Sequence, residues 1–315
     1  MLKEPAFHPF EQEAKDLYPS RYIDSPRVTP RKDPVVYGKP GEGPLSAGQL
    51  EFYDRNGYLT FDNLFSEREL ERYQRELASL NDNPLVRERE ETVVEPYSGD
   101  VRSIFAVHEI SNVIRKLCTD VRVVRIAEQI LGSQVYFHQT RINYKPGFGG
   151  HGFYWHSDFE TWHAEDGMPN MRAVSCSISL TPNTEYNGPL MVIPGSHRDF
   201  IGCVGRTPEQ NYKESLKNQE FGTPDPDSLQ RLYKRGGIVS PTGSMGLVTF
   251  FDCNLMHGSN SNITPLPRSN VFMVFNSIEN QPVEPFEAPA PRPEFIGKRS
   301  GIRPIEAIQA DPDEQ

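Results

Sequence analysis

VYFHQTRINYK, residues 135–145, is where this chain changes character. Valine, isoleucine, threonine and aromatic residues dominate it, glycine and proline are absent, and it reads as one long strand. On its N-terminal side the sequence favours helices. Residues 47–57 (AGQLEFYDRNG) predict a short helix stopped by Gly57, after which Tyr58-Leu59-Thr60-Phe61 alternates as a strand. Ser66-Glu67-Arg68-Glu69 is a capping box, in which hydroxyl and carboxylate satisfy free N–H groups, opening a helix to about Leu80. A further helix is expected from about Asn112 to Leu131, ended by Gly132. On the C-terminal side RAVSCSISLT (172–181), PLMVI (189–193), GLVTFFD (246–252) and VFMVFNSI (271–278) are β-branched and aromatic runs separated by Gly, Pro and Asn. Helices followed by many short strands specify a mainly β fold with flanking helices, a double-sheet barrel.

The ends of the chain are different. Of 315 residues 28 are proline, nearly twice the usual share of about 5%, and they gather in residues 1–45 and 282–315. Neither segment sustains an apolar period. The expected organisation is a Pro-rich N-terminal arm (1–45), one central domain (46–281) and a Pro-rich C-terminal arm (282–315), the arms extended and docked or partly disordered. No apolar run approaches the roughly 20 residues that span a bilayer, and Met1-Leu2-Lys3-Glu4 opens no signal peptide, so a soluble, cytoplasmic protein with no membrane partner is expected. Cys118, Cys176, Cys203 and Cys253 contain no C-x-x-C pair and read as buried thiols. A formal net charge of −10 argues against a nucleic-acid surface.

His156-Ser157-Asp158 follows the strand at 135–145 and the glycine-rich PGFGGHG (146–152), and His257 follows the strand at 246–252. In an extended segment residues i and i+2 point to one side, so His156 and Asp158 converge while Ser157 faces away, and His257 completes the set from another strand end. Two histidines and one carboxylate hold a metal by one face and leave the other open, as in non-haem Fe(II) oxygenases. From spacing alone a surface loop is the commoner reading of such a triplet, and His197-Arg198-Asp199 is a second one. That rival lies in a Pro-Gly turn where Ser196 starts a helical turn, and is expected to be structural.

The segment Gly188-Pro189-Leu190-Met191-Val192-Ile193-Pro194-Gly195-Ser196-His197-Arg198 resembles the strand-and-turn of the phytanoyl-CoA dioxygenase superfamily, as does Phe52-Tyr53-Asp54-Arg55-Asn56-Gly57-Tyr58-Leu59 with the capped helix after it. The block from Phe153 to Pro169 (FYWHSDFETWHAEDGMP) closely resembles the signature stretch of that superfamily's ectoine-hydroxylase branch, and the likeness extends over most of residues 45–300. The resemblance implies a double-stranded β-helix (jelly-roll or cupin-like) core and a homodimer. It further implies an enzyme dependent on Fe(2+), 2-oxoglutarate and O₂ that hydroxylates ectoine to 5-hydroxyectoine, with release of succinate and CO₂. His156, Asp158 and His257 are then the iron ligands and the catalytic centre. An intact carboxylate at Asp158 favours hydroxylation, where related halogenases carry a small residue.

The remaining site residues follow from the same resemblance. It places Lys145 and Arg268 near 2-oxoglutarate, Gln139 at ectoine and Trp162 against the bound substrate. A fixed arginine fork suits the far carboxylate of the co-substrate, and Lys145 adds a point charge. Gln139, Arg141 and Asn143 share one face by the two-residue period, and Asn143 is assigned with Lys145 to the co-substrate. An indole face attracts the delocalised amidinium of ectoine, and Gln139 is able to bond either end of the zwitterion. Thr161 and Phe251, each close to an expected ligand or strand end, are further substrate contacts. The competing expectations are the same chemistry on another small amino-acid-like molecule, and a non-catalytic solute-binding β-barrel. A zinc hydrolase would want an H-E-x-x-H helix, which the chain lacks.

Overall fold

In the computed structural model, residues 16–95, 98–215 and 221–309 are described. Residues 1–15 and 310–315 of the expected arms lie outside them. The described strands are β1 (Arg27–Pro30), β2 (Tyr58–Phe61), β3 (Thr92–Val94), β4 (Val101–Phe105), β5 (Val135–Lys145), β6 (Phe153–His156), β7 (Ala173–Ser179), β8 (Leu190–Val192), β9 (Asp199–Gly202), β10 (Val248–Asp252), β11 (His257–Ser259) and β12 (Arg268–Ser277). Seven of them form a major sheet in the order β2-β10-β7-β12-β5-β4-β3, three a smaller sheet ordered β6-β11-β8, and β1 pairs with β9. The two larger sheets wall a common cavity, giving a double-stranded β-helix with helices on the outer face of the major sheet.

Strand alternation decides which face each residue serves. On β12, Val271, Met273 and Phe275 join an apolar cluster with the outer helices, while Phe272 and Val274 join a second cluster with Phe159, Trp162 and Phe251. Its neighbour β5 carries an irregularity the sequence does not announce. Val274 pairs with Gln139 but Phe275 with Phe137, so His138 is an extra residue and the strand changes face there. Val135 and Phe137 therefore face the outer helices, as do Ile142 and Tyr144 beyond the bulge. Gln139, Arg141, Asn143 and Lys145 are left on the cavity side.

The helix signals translate directly. Helix Ala47–Asn56 ends on Gly57, which adopts the left-handed conformation (φ 78°) that a residue with a Cβ resists, and Ser66 with Glu69 closes the expected capping box of helix Glu67–Asp82. The expected single helix from Asn112 to Leu131 is instead two, Asn112–Cys118 and Val121–Leu131. Asp120 breaks it: its carboxylate accepts from the Arg122 N–H at 2.8 Å as a new N-cap, a competing bond open to a short acidic side chain. β3, β4 and β9 are further corrections: β3 (TVV) is only three residues long between charged flanks, and β4 and β9 carry charged residues. The strand expected at 271–278 begins three residues earlier, with Arg268 as its first residue.

The described parts of the terminal segments pack closely on this core. Tyr18 is fully buried, Arg31 pairs with Asp252 at 2.8 Å, and the Ile305 N–H donates to the Val135 carbonyl.

Candidate metal centre and its cavity

His156 ends β6 and His257 begins β11, and the two are direct partners in the antiparallel register of the smaller sheet. Their ring centroids stand 4.3 Å apart. Ser157 continues the extended backbone and turns its hydroxyl away, toward Asn254 Oδ1 at 2.9 Å, so Asp158 comes round to the histidine side. Beyond that point the chain departs from the extended path expected of it. Asp158 is the first residue of the helical turn Asp158–Thr161, which a π-helical turn, Trp162–Asp166, continues. Asp158 Oδ1 lies 3.7 Å from His156 Nε2 and 3.8 Å from His257 Nε2, and one donor atom from each residue falls within 4.8 Å of the others.

The donor chemistry fits a divalent iron. Nδ1 of His156 donates to the Tyr154 carbonyl at 2.7 Å and Nδ1 of His257 to that of Leu255 at 2.9 Å, which leaves both Nε2 lone pairs facing the carboxylate. Burial, then the neighbouring His257, pushes His156 down to about 4, so its ring is neutral and ready to ligate near neutral pH. Ser175 Oγ holds the other carboxylate oxygen, Oδ2, at 3.2 Å. The rival triplet has a structural task. His197 is buried, its Nε2 donates to the Asp54 carbonyl, and its own carbonyl anchors the Asn254 amide that holds Ser157.

The cavity above the triad is rich in cations. Arg268 and Lys145 are direct cross-strand partners on β12 and β5. Like charges placed so repel, and among the described residues Arg268 makes no ion pair and its Nε no hydrogen bond. Burial lowers the Arg268 guanidinium to about 10. The Lys145 ammonium donates to Ser259 Oγ (2.9 Å) and to the carbonyls of Asn260 (2.6 Å) and Gly188 (3.3 Å). Arg141 is also without an ion pair among the described residues; its guanidinium lies 4.5 Å from the Phe272 ring centroid. Burial lowers it to about 10, against the opposing pull of Asp158. Buried cations without counter-ions are costly. A ligand carrying carboxylates relieves that cost, which is what a dicarboxylate co-substrate provides.

The other expected site residues line the same cavity. Gln139 donates to the Ile296 carbonyl at 2.6 Å, and Asn143 Oδ1 accepts from Ser103. Trp162, 3% exposed, packs edge-on against His138, and Phe251 stands 4.9 Å from the His257 ring. Thr161 completes the wall on the same turn as Trp162. His163, outside the three-ligand set, is fully buried and stacked on Phe286 at 3.9 Å, whereas His151 is exposed. Arg141 and Arg292 are among the cavity residues that had no expected role. Arg141 was legible as a neighbour of Gln139 and Asn143 on one face. Arg292 was not, because it reaches the cavity from the C-terminal segment, held by Asp166 at 2.7 Å and 2.5 Å.

Comparison with known proteins places this geometry among relatives. The profile of the family described as phytanoyl-CoA dioxygenase (PhyH) matches residues 53–270. An ectoine dioxygenase of Streptomyces coelicolor is 58% identical over 285 residues, covering 90% of this chain and 95% of the relative. One from Bordetella bronchiseptica is 54% identical, covering 94% and 97%. The crystal structure of EctD from S. alaskensis with 2-oxoglutarate and 5-hydroxyectoine superposes with a TM-score of 0.86 at 45% identity, covering 94% of this chain and 99% of that one. The same protein with bound Fe gives 0.85.

Proposed function

The chain belongs to the phytanoyl-CoA dioxygenase family, and on that premise we propose that it is an Fe(II)- and 2-oxoglutarate-dependent dioxygenase converting ectoine, 2-oxoglutarate and O₂ to 5-hydroxyectoine, succinate and CO₂. One observation carries this function: a His/Asp/His donor set shares a cavity with two guanidinium groups, those of Arg268 and Arg141, that make no ion pair among the described residues. Iron bound there supplies the oxidant that replaces an unactivated C–H by C–OH, with decarboxylation of the co-substrate. The chain's own work is orientation and exclusion of water. His156, Asp158 and His257 hold the metal by one face. Arg268 takes the far carboxylate of 2-oxoglutarate, with Lys145 and Asn143 beside it on β5. Gln139, Trp162, Thr161 and Phe251 enclose ectoine. The direct test gives O₂ to anaerobic, Fe(II)-loaded protein with 2-oxoglutarate: succinate release should depend on ectoine. Stimulation by proline or a related ring but not by ectoine would remove the substrate assignment and leave the chemistry.

Trp162→Ala should raise the KM for ectoine about tenfold, the size of a lost, partly desolvated cation–π contact, with iron content unchanged. Loss of iron in this variant would count against a substrate role.

Lys145 gives a pH signature. Burial first, then Arg268 and Arg102, lowers its ammonium to about 6 from an ordinary 10.5, so near pH 7 the ligand-free protein holds it largely neutral. Between those two values the unfolded chain binds the proton and the folded chain does not, so this group's contribution to stability rises with pH across that window. A bound dicarboxylate reverses the local charge and favours the ammonium. Calorimetric titration with 2-oxoglutarate in buffers of different ionisation enthalpy should show uptake of close to one proton at pH 7, absent in Lys145→Met. Equal uptake in both proteins would remove Lys145 from the co-substrate site.

The enzyme is further proposed to be a cytoplasmic homodimer that makes a compatible solute under osmotic stress, its core a jelly roll. Support for the dimer is general, C₂ pairs being the commonest assembly, and light scattering tests it. No described helix is long and apolar enough to cross a membrane.

A further inference from the structure

Residues 158–166 carry Asp158, Thr161 and Trp162 into the site, and they also bury three more carboxylates, those of Glu160, Glu165 and Asp166, at 1%, 2% and 0% exposure. The arginines that answer these charges come from the two ends of the chain. Arg21 Nε donates to Glu160 Oε1 at 2.8 Å, and its Nη2 reaches Glu160 Oε2 at 3.0 Å and Glu165 Oε1 at 3.1 Å. Ser20 Oγ bonds the same Glu160, and Tyr18 packs edge-on against Phe159 at 5.3 Å. From the other end Arg292 forks onto Asp166, and Phe286 stacks on His163. The five residues Trp162–Asp166 form a π-turn, a rare geometry that persists only where its surroundings fix it. Arg21 itself sits at φ 56°, a conformation that residues with a Cβ seldom adopt outside a constrained setting. A bidentate, doubly anchored arginine in a strained backbone, fully buried between two carboxylates of the site-bearing turn, is more than the docking of a terminal segment requires.

We propose that Arg21 is a positioning residue for the hydroxylation: by clamping Glu160 and Glu165 it fixes the turn that presents Trp162 to the substrate, whereas Asp158 is held separately by Ser175. It does not line the cavity, so its influence runs through the turn alone. This rests on the function proposed above. An orientation error at a distance costs rate steeply, because substrate misplaced by about 1 Å no longer offers the right C–H while co-substrate decarboxylation continues.

The experiment compares the full-length wild type with Arg21→Ala and Arg21→Lys. Arg21→Ala should raise the KM for ectoine about tenfold and the ratio of succinate to 5-hydroxyectoine from near one to about three or more, with the KM for 2-oxoglutarate and the iron content within about twofold. Arg21→Lys, which keeps the charge but not the fork, should fall between. A second readout needs no turnover: with Trp155→Phe leaving Trp162 the sole indole, acrylamide quenching of the metal-free protein should rise in Arg21→Ala. Unchanged ectoine KM, coupling ratio and quenching would overturn the clamp, and so would a kcat that falls only in proportion to the unfolded fraction seen by circular dichroism. If Arg21→Ala does not fold, the same measurements on Arg21→Lys and Glu160→Gln decide the clamp by the same outcomes. A wild type without ectoine-dependent succinate removes the proposed function instead, and the quenching comparison still decides the clamp.

Discussion

Asp158→Ala is expected to abolish hydroxylation, with turnover at least about 10³-fold below wild type and iron retention below a tenth after anaerobic reconstitution and desalting. Substitutions that merely disturb the partners of a metal ligand cost about 10- to 100-fold in affinity, and loss of a ligand itself costs more. The geometry explains why nothing replaces it. The two Nε2 atoms are aimed by backbone carbonyls at one point, 3.7 Å and 3.8 Å from Asp158 Oδ1, and no other carboxylate joins them within ligating range among the described residues. Arg141 would also lose the opposite charge that Asp158 supplies. Iron by mass spectrometry, together with ectoine-dependent succinate, decides the matter. A variant that keeps stoichiometric iron and more than a tenth of the turnover would remove Asp158 from the ligand set. Removal of the metal by a chelator should be equally complete for the wild type, and reversible with Fe(II).

Arg268→Ala is expected to raise the KM for 2-oxoglutarate about 10²-fold, leaving the KM for ectoine within about threefold and the iron content unchanged. Two charge-assisted hydrogen bonds to one carboxylate account for that size. The effect on stability should run the other way. In the ligand-free protein Arg268 is a buried cation with no ion pair among the described residues, so its removal should leave the melting temperature unchanged or higher. 2-Oxoglutarate should then stabilise the iron-loaded wild type against heat and fail to stabilise the variant at the same concentration. Arg268→Lys should not restore affinity, because an ammonium lacks the planar fork. A ligand-free variant that melts well below the wild type, with 2-oxoglutarate affinity intact, would make Arg268 a structural residue.

Much of this was open to a reader of the sequence, for identifiable reasons. The capping box at Ser66 and the stop at Gly57 depend on bonds within a few residues, and local chemistry settles them. The side-by-side placement of Gln139, Arg141, Asn143 and Lys145 depends only on a period of two. The irregularity at His138 was invisible, because an unpaired extra residue is defined by the neighbouring strand and not by its own identity. The break at Asp120 and the short β4 were hidden for a related reason: a polar residue's choice between partners is made in three dimensions.

The sequence by itself determined the donor types, the spacing of His156 and Asp158, the strand that carries Gln139, Arg141, Asn143 and Lys145 on one face, and the aromatic block that marks the family. Only the tertiary structure decided that His257 stands directly across from His156, that Arg268 faces Lys145 with no counter-ion among the described residues, and that the turn bearing Trp162 is held from both ends of the chain by Arg21 and Arg292. Spacing along the chain fixes what a residue offers and which side of its own strand it occupies. Which charges are left buried and unpaired depends on segments more than a hundred residues apart meeting in one place, and it is those unpaired charges that give the cavity its demand for a dicarboxylate.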